Sequence, residues 1–307
     1  MNVLPKCLYI FQSVPLPPPS SFFSSITKLI SKFIWNNRKP RLRLSLLYLP
    51  YESGGLKLPN FQYYYWAAQL RAAVYWFSKD SVPSWINIEL ASAGGLSLDN
   101  FLYSAPLKKL KKVPNPLVRN TIQIWFETHK YMKDTPLLSY LSPIWKNSNF
   151  PPASNDGGFK IWFTKGITKI GSLYKRKNML SWEELKRDYD LPRSHFLKFL
   201  QIRSFITSVL KSTAQPKLSR QEDFFCSDCG DRHLVSKIYK ILLDNHRDNT
   251  EIIRHRWSND LGKDITEETW QRICVKAQTQ TINSKLRLLQ YKWITRTYIT
   301  PEKNPQI

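Results

Sequence analysis

Two cysteines, Cys226 and Cys229, are separated by Ser227 and Asp228 and followed by His233. Two thiolates at that spacing form half of a zinc knuckle, and His233 is a third candidate metal ligand. The second half does not follow, because His246 and His255 lie outside the usual finger spacing. The residues therefore read better as loop cysteines than as metal ligands, and no metal site is assigned. Phosphoryl-transfer chemistry would need carboxylates holding two metal ions about 3.5–4 Å apart. The sequence offers no Asp-Asp pair between two strand patterns. Its pairs Glu183-Glu184 and Glu267-Glu268 fall in first turns of expected helices, where the helix dipole accounts for them. No Ser, Cys or Lys nucleophile stands beside a plausible base, so no catalytic residue is expected.

Cations interleaved with aromatics are the stronger signal. The 307 residues carry 46 Lys and Arg against 23 Asp and Glu, a net charge of +23 spread along the chain. Such a field favours polyanions, and RNA and DNA are the expected partners. Lys28 and Lys32 precede Trp35, and Arg38, Lys39, Arg41 and Arg43 follow it. Lys175, Arg176 and Lys177 follow Tyr174. On a helical wheel Lys285, Lys292 and Arg296 share one stripe, with Leu286, Leu289 and Trp293 beside it as the apolar face. Cations at such places track phosphates while aromatic faces stack on unpaired bases. The plainer reading makes each charge run a solvated helix end and each aromatic a core residue.

No apolar run reaches the roughly 18 residues of a membrane span. Lys6 is the lone charge before Pro15, Pro17, Pro18 and Pro19 interrupt the chain, which argues against a signal peptide. Cys7, Cys226, Cys229 and Cys274 are too few and too scattered for a disulfide scaffold. These features suggest no membrane partner and a reducing intracellular compartment, nuclear or cytoplasmic.

The elements that must position these residues are mostly helices. Ser20 or Ser21 caps a helix with Phe22, Ile26, Leu29 and Phe33 on its apolar face, ended by Asn36, Asn37 and Pro40. A Gly54-Gly55 turn precedes a helix from Phe61 to about Phe77, capped by Asn60 and apolar on most sides. Between residues 81 and 150, Pro83, Pro106, Pro114, Pro116, Pro136 and Pro143 suggest short helical pieces. Residues 151–159, with two Pro and two Gly, read as a linker. Beyond it, Ser181 and Glu184 form a capping box. A helix after Pro192 would bury Phe196, Phe199, Leu200, Ile206 and Val209. Further helices are expected over about 231–243, after Thr266, and from about Asn283 to Tyr298. The fold class is thus mostly α and multi-helical, with a region at 1–80, an irregular connection at 81–150, the linker, and a basic helical region at 160–307.

An ordered series of residues resembles the thumb of LINE-type, non-LTR retrotransposon reverse transcriptases. The series is Leu4-Pro5-Lys6, Tyr9, Phe11, Phe22-Phe23, Lys32-Phe33-Ile34-Trp35-Asn36, Gly54-Gly55-Leu56, Leu58-Pro59-Asn60-Phe61 and Tyr64-Tyr65. The resemblance resumes at Leu234-Val235-Ser236-Lys237-Ile238-Tyr239 and continues through Trp257 and Trp270 to Arg296, Tyr298, Thr300 and Pro301. Residues from about 80 to 180 match loosely. The resemblance implies a thumb-like helical bundle and a following helical region of the second open-reading-frame protein. Such a segment would hold template RNA and template–primer duplex beside a polymerase core. The family's palm aspartates, with their Mg²⁺, and its endonuclease and Cys/His cluster have no counterpart among these residues. The expectation is a non-catalytic, nucleic-acid-binding segment without a cofactor of its own. A helical scaffold derived from a truncated element is the alternative.

Overall fold

The computed structural model describes residues 3–14, 16–77, 83–91, 97–104, 113–154, 157–211, 215–227, 232–245 and 250–298. Among them the fold is mostly helical, as the sequence indicated, with one two-stranded sheet. The helices in chain order are α1 (Val3–Ser13), α2 (Phe22–Trp35), α3 (Leu44–Tyr48), α4 (Phe61–Phe77), α5 (Ile86–Ala91), α6 (Leu98–Ser104), α7 (Pro116–Met132) and α8 (Pro151–Ser154). There follow α9 (Lys160–Thr164), α10 (Trp182–Asp188), α11 (Phe196–Leu210), α12 (Arg220–Cys226), α13 (Leu234–Asp244), α14 (Glu251–Leu261), α15 (Glu267–Thr279) and α16 (Ser284–Ile294). Strands β1 (Tyr174–Lys175) and β2 (Asn178–Met179) form an antiparallel hairpin.

The chain forms two compact units. One gathers Pro18–Tyr65, the described residues from Tyr239 onward, and the first turns of α1. The other gathers Trp66–Ile238 and Tyr9–Pro17. The division falls inside α4, after Tyr65, and not at a break near residue 80. The sequence pattern explains why no break is needed: α4 is buried on most sides, from Tyr63 through Ala67, Leu70 and Ala73 to Trp76.

In the first unit, α15 packs on α16 and on a 3-10 turn at Tyr51–Ser53. Its small core joins Ile265, Trp270 and Cys274 with Ile253, Trp257, Ile273 and Ile294. Polar groups complete the packing. The Trp270 indole N–H donates to Thr250 Oγ1 at 2.6 Å, and the Tyr291 hydroxyl donates to the Gly54 carbonyl at 3.1 Å. The Asn60 N–H donates to the Tyr239 hydroxyl at 3.2 Å, while Tyr239 stacks on Tyr64 with ring centroids 4.0 Å apart. Burial raises the Tyr239 phenol to about 12, so it stays protonated.

The second unit is where the sequence reading needs correction. Residues 151–159 are not a linker. Ala153 and Phe159 are fully buried in one core with Phe150, Trp162, Ile167, Ile170 and Leu173, closed by Phe199, Ile202, Ile206 and Leu210 of α11. Pro151 and Pro152 start the short α8, and Gly157 and Gly158 take positive φ in the turn that follows. Turn residues there serve a tight fold-back, not a spacer. The segment at 81–150 contains the 17-residue α7, which the prolines flank instead of breaking. Pro116 sits in its first turn, where the missing N–H is harmless, and Asn115 accepts from the Leu117 N–H at 2.9 Å. On α11, Phe196 and Leu200 are exposed, and Ile202 and Leu210 take the expected core places.

Ser21, at the N-terminus of α2, makes no side-chain cap hydrogen bond, whereas three other expected caps form. Ser181 and Glu184 make the reciprocal capping box, the Asn60 side chain accepts from Gln62 and Tyr63 N–H, and Thr266 caps α15. Gly55 is the tightest point of the first unit. A Cβ there would meet the Leu49 carbonyl oxygen at 2.0 Å and that of Leu46 at 2.7 Å, both backbone atoms. Gly55→Ala is therefore expected to destabilise the protein by about 1–3 kcal/mol. The thermal midpoint by circular dichroism measures this, and an unchanged midpoint would contradict the packing described.

Candidate nucleic-acid interface

The N-terminal cations stand on α2 and the loop after it. Helix α2 ends where Asn36 and Asn37 take left-handed φ of 47° and 60°, a conformation asparagine tolerates well. The expected apolar face of α2 is not a core face, for none of its residues is buried. Leu29 and Phe33 are 66% and 88% exposed, next to exposed Lys28 and Lys32. Phe23, on another side, packs on Tyr65 at 5.5 Å.

Arg38, Lys39, Arg41 and Arg43 are all exposed. Arg41 Nη1 donates to the Thr297 carbonyl at 2.9 Å, which brings this loop against the residues following α16. Two basic segments far apart in sequence are thus neighbours within one unit.

Helix α16 differs from its wheel. It stops at Ile294, and Arg296 lies beyond it with φ of 57°. Tyr291 is its buried residue, whereas Leu286, Leu289 and Trp293, the expected apolar face, are 45–56% exposed. Lys285 is exposed and Lys292 half-buried. Arg296 is held within the unit: its Nη2 donates to the Asp260 carboxylate, and its guanidinium lies 4.4 Å from the centre of the Trp257 ring. Trp257 in turn donates its indole N–H to the Ile294 carbonyl at 2.9 Å. Arg296 therefore acts first as a structural cation.

Lys175, Arg176 and Lys177 belong to the second unit, at the tip of the β1–β2 hairpin. Arg176 and Lys177 form its two-residue turn with φ of 48° and 70°. A turn with both φ positive normally takes Asn-Gly, and long side chains there cost on the order of 1 kcal/mol each. All three cations are exposed.

Of the weak metal candidates, Cys229 lies outside the described residues. Cys226 ends α12 and His233 precedes α13, both exposed. Among the described residues no group of three His, Cys, Asp or Glu is placed to hold a metal ion. None of the described helices is long and apolar enough to cross a membrane.

A polar network that the sequence reading overlooked lies in the second unit. Glu222, fully buried, accepts from the Tyr103 hydroxyl at 2.6 Å and from the Ser219 N–H at 2.7 Å. Ser219 and Glu222 form a capping box on α12, and Ser219 Oγ lies 3.3 Å from His129 Nε2. His129 Nδ1 faces the Trp125 carbonyl at 3.1 Å. The legible signal was the Ser-x-x-Glu spacing at 219–222, the same as at Ser181. The arrangement is that of a buried cap. Ser219 already accepts from the Glu222 N–H at 3.1 Å, and the imidazole Nδ1 faces a backbone carbonyl instead of a carboxylate.

No protein-family model matches the chain.

Two histidines of the second unit are buried in a way that favours the neutral ring. Burial lowers the pKa of His129, against the opposing pull of its Trp125 hydrogen bond and of Glu222 and Asp134. Burial, then Lys198 and Lys165, lower that of His195, whose Nδ1 accepts the Trp162 indole N–H at 3.2 Å. The unfolded chain thus takes up these protons first, near pH 6.5. Stability is full above that pH and falls as pH drops below it toward the folded-state values, with a slope of up to about 1.4 kcal/mol per pH unit for each ring. Denaturant midpoints between pH 7.5 and 5.5 are expected to show this loss, and the double variant His129→Gln/His195→Gln to flatten it. An equally steep wild-type and variant profile would contradict it.

Proposed function

We propose that the chain is a non-catalytic nucleic-acid-binding module acting as the thumb and following helical region of a LINE-type reverse transcriptase. It would grip template RNA and template–primer duplex through phosphate contacts, with the polymerase core as its protein neighbour. One observation carries the reading. Most of the two stretches that hold the resemblance, 18–65 and the part from Tyr239 onward, falls in a single compact unit although a whole second unit separates them in sequence, while Tyr9, Phe11 and residues 234–238 belong to that second unit. That unit also contains Lys28, Lys32, Arg38, Lys39, Arg41, Arg43, Lys285 and Lys292, and Arg41 ties its two basic segments together. Contacts of this kind are sequence-independent, which suits a surface that must let the duplex advance. The exposed Leu29 and Phe33 beside Lys28 and Lys32 support a protein neighbour at α2. The same apolar face also fits the alternative of a helical scaffold with no nucleic-acid role.

Titration with primer–template duplex and structured RNA at several salt concentrations separates the two. Nucleic-acid binding predicts that affinity falls steeply as salt rises. Lys28→Ala/Lys32→Ala should weaken binding alike across sequences and reduce the salt slope by about one per cation that contacts phosphate. Arg296→Met should lower the thermal midpoint and leave that slope nearly unchanged. Absence of binding near about 100 mM salt would overturn the reading, and template-dependent nucleotide incorporation by the chain alone would overturn its non-catalytic part.

A further inference from the structure

Phosphate tracking leaves one feature of the first unit unused, the cleft between α15 and α16. It is open, with a volume of about 630 Å³, within the roughly 300–1,000 Å³ of small-ligand sites. Ile273, Leu289, Trp293 and Tyr298 supply apolar and aromatic walls, and Lys276, Gln280 and Gln290 supply the polar residues. The cleft exists because Tyr291 takes the core position on α16, which leaves Leu289 and Trp293 facing outward.

Two observations identify what it would hold. Trp293 is 56% exposed, and its ring centre lies 6.1 Å from that of Tyr298 at 59°. Two partly exposed aromatics at an angle offer one face for stacking and an edge beside it. Secondly, the charge around the cleft is positive. Lys276 lines it and is exposed, Lys292 neighbours Trp293, and the acidic pair Glu267-Glu268 lies at the opposite end of α15. A planar ring attached to an anion fits both.

We infer that the cleft receives a single unpaired nucleobase. The base stacks on Trp293 beside Tyr298, and Lys276 faces the attached phosphate. This inference rests on the nucleic-acid reading above and adds a base-binding subsite to a surface otherwise read as indifferent to bases. It also distinguishes single strand from duplex, since a paired base presents neither a free face nor a free edge.

The test is fluorescence anisotropy of the whole chain with three labelled probes: a short single-stranded RNA, the same strand with abasic sites, and a fully paired duplex. The abasic strand should bind about ten-fold or more weakly than the intact one at equal salt. Trp293→Ala should cost the intact strand a similar factor and leave the duplex unchanged, while Trp293→Phe retains most of the affinity. If intact and abasic strands bind equally while the duplex still binds, the subsite is overturned and the phosphate-binding reading survives. If no probe binds, both fail. Because the abasic comparison leaves the protein untouched, loss of folding in a variant does not blur the outcome.

Discussion

The Tyr291 hydroxyl donates to the Gly54 carbonyl, and around that bond the first unit closes. Tyr291 belongs to α16 and Gly54 to the turn before α4, so the bond joins residues 237 positions apart. Gly54 holds φ of 78° and lies so near Thr250 that a Cβ would meet its Cγ2 at 2.6 Å. Thr250 in turn accepts from Trp270. Turn, α15 and α16 are thus fixed by one another, and the position of Tyr291 decides the rest of α16. With that side chain inward, Leu289 and Trp293 face outward and the cleft beside α15 remains.

Much of the local structure was legible because it depends on neighbours in sequence. The caps at Asn60, Ser181 and Thr266, the end of α2 at Asn36, and the whole span of α4 follow from side chains acting within one turn. The same rules failed where a residue type has two uses. Proline read as a breaker proved to be a helix starter at Pro116, and the Pro- and Gly-rich stretch at 151–159 proved to be a fold-back with a buried Phe159. Composition records that a chain turns, not whether the turn is wet or dry.

The site was legible in charge and illegible in arrangement. Exposure of Lys28, Lys32, Arg38, Lys39, Arg41, Arg43 and Lys285 follows from their type. That Arg41 would reach Thr297, or that Arg296 would turn back onto Trp257 and Asp260, depends on tertiary contacts that no helical wheel contains. The wheel for α16 failed for a further reason: it assumed a helix through Tyr298, whereas the helix ends at Ile294. Amphipathicity also proved a poor guide to burial. Leu29 and Phe33 have the right spacing for a core on α2 and are among the most exposed apolar side chains described.

A unit built from both sides of an intervening one has an order of assembly imposed on it. During synthesis Trp66–Ile238 emerges as a nearly unbroken block and can fold while translation continues. The turn at residues 51–55 and its neighbours leave the ribosome earlier, yet the partners of that turn, α15 and α16, follow the block. At about 5–20 residues per second, they wait on the order of ten seconds or more. Through that interval the aromatic side chains of the early segment have no native partner from the late one. Production of the protein is therefore expected to depend on translation speed and on chaperones that shield apolar helices.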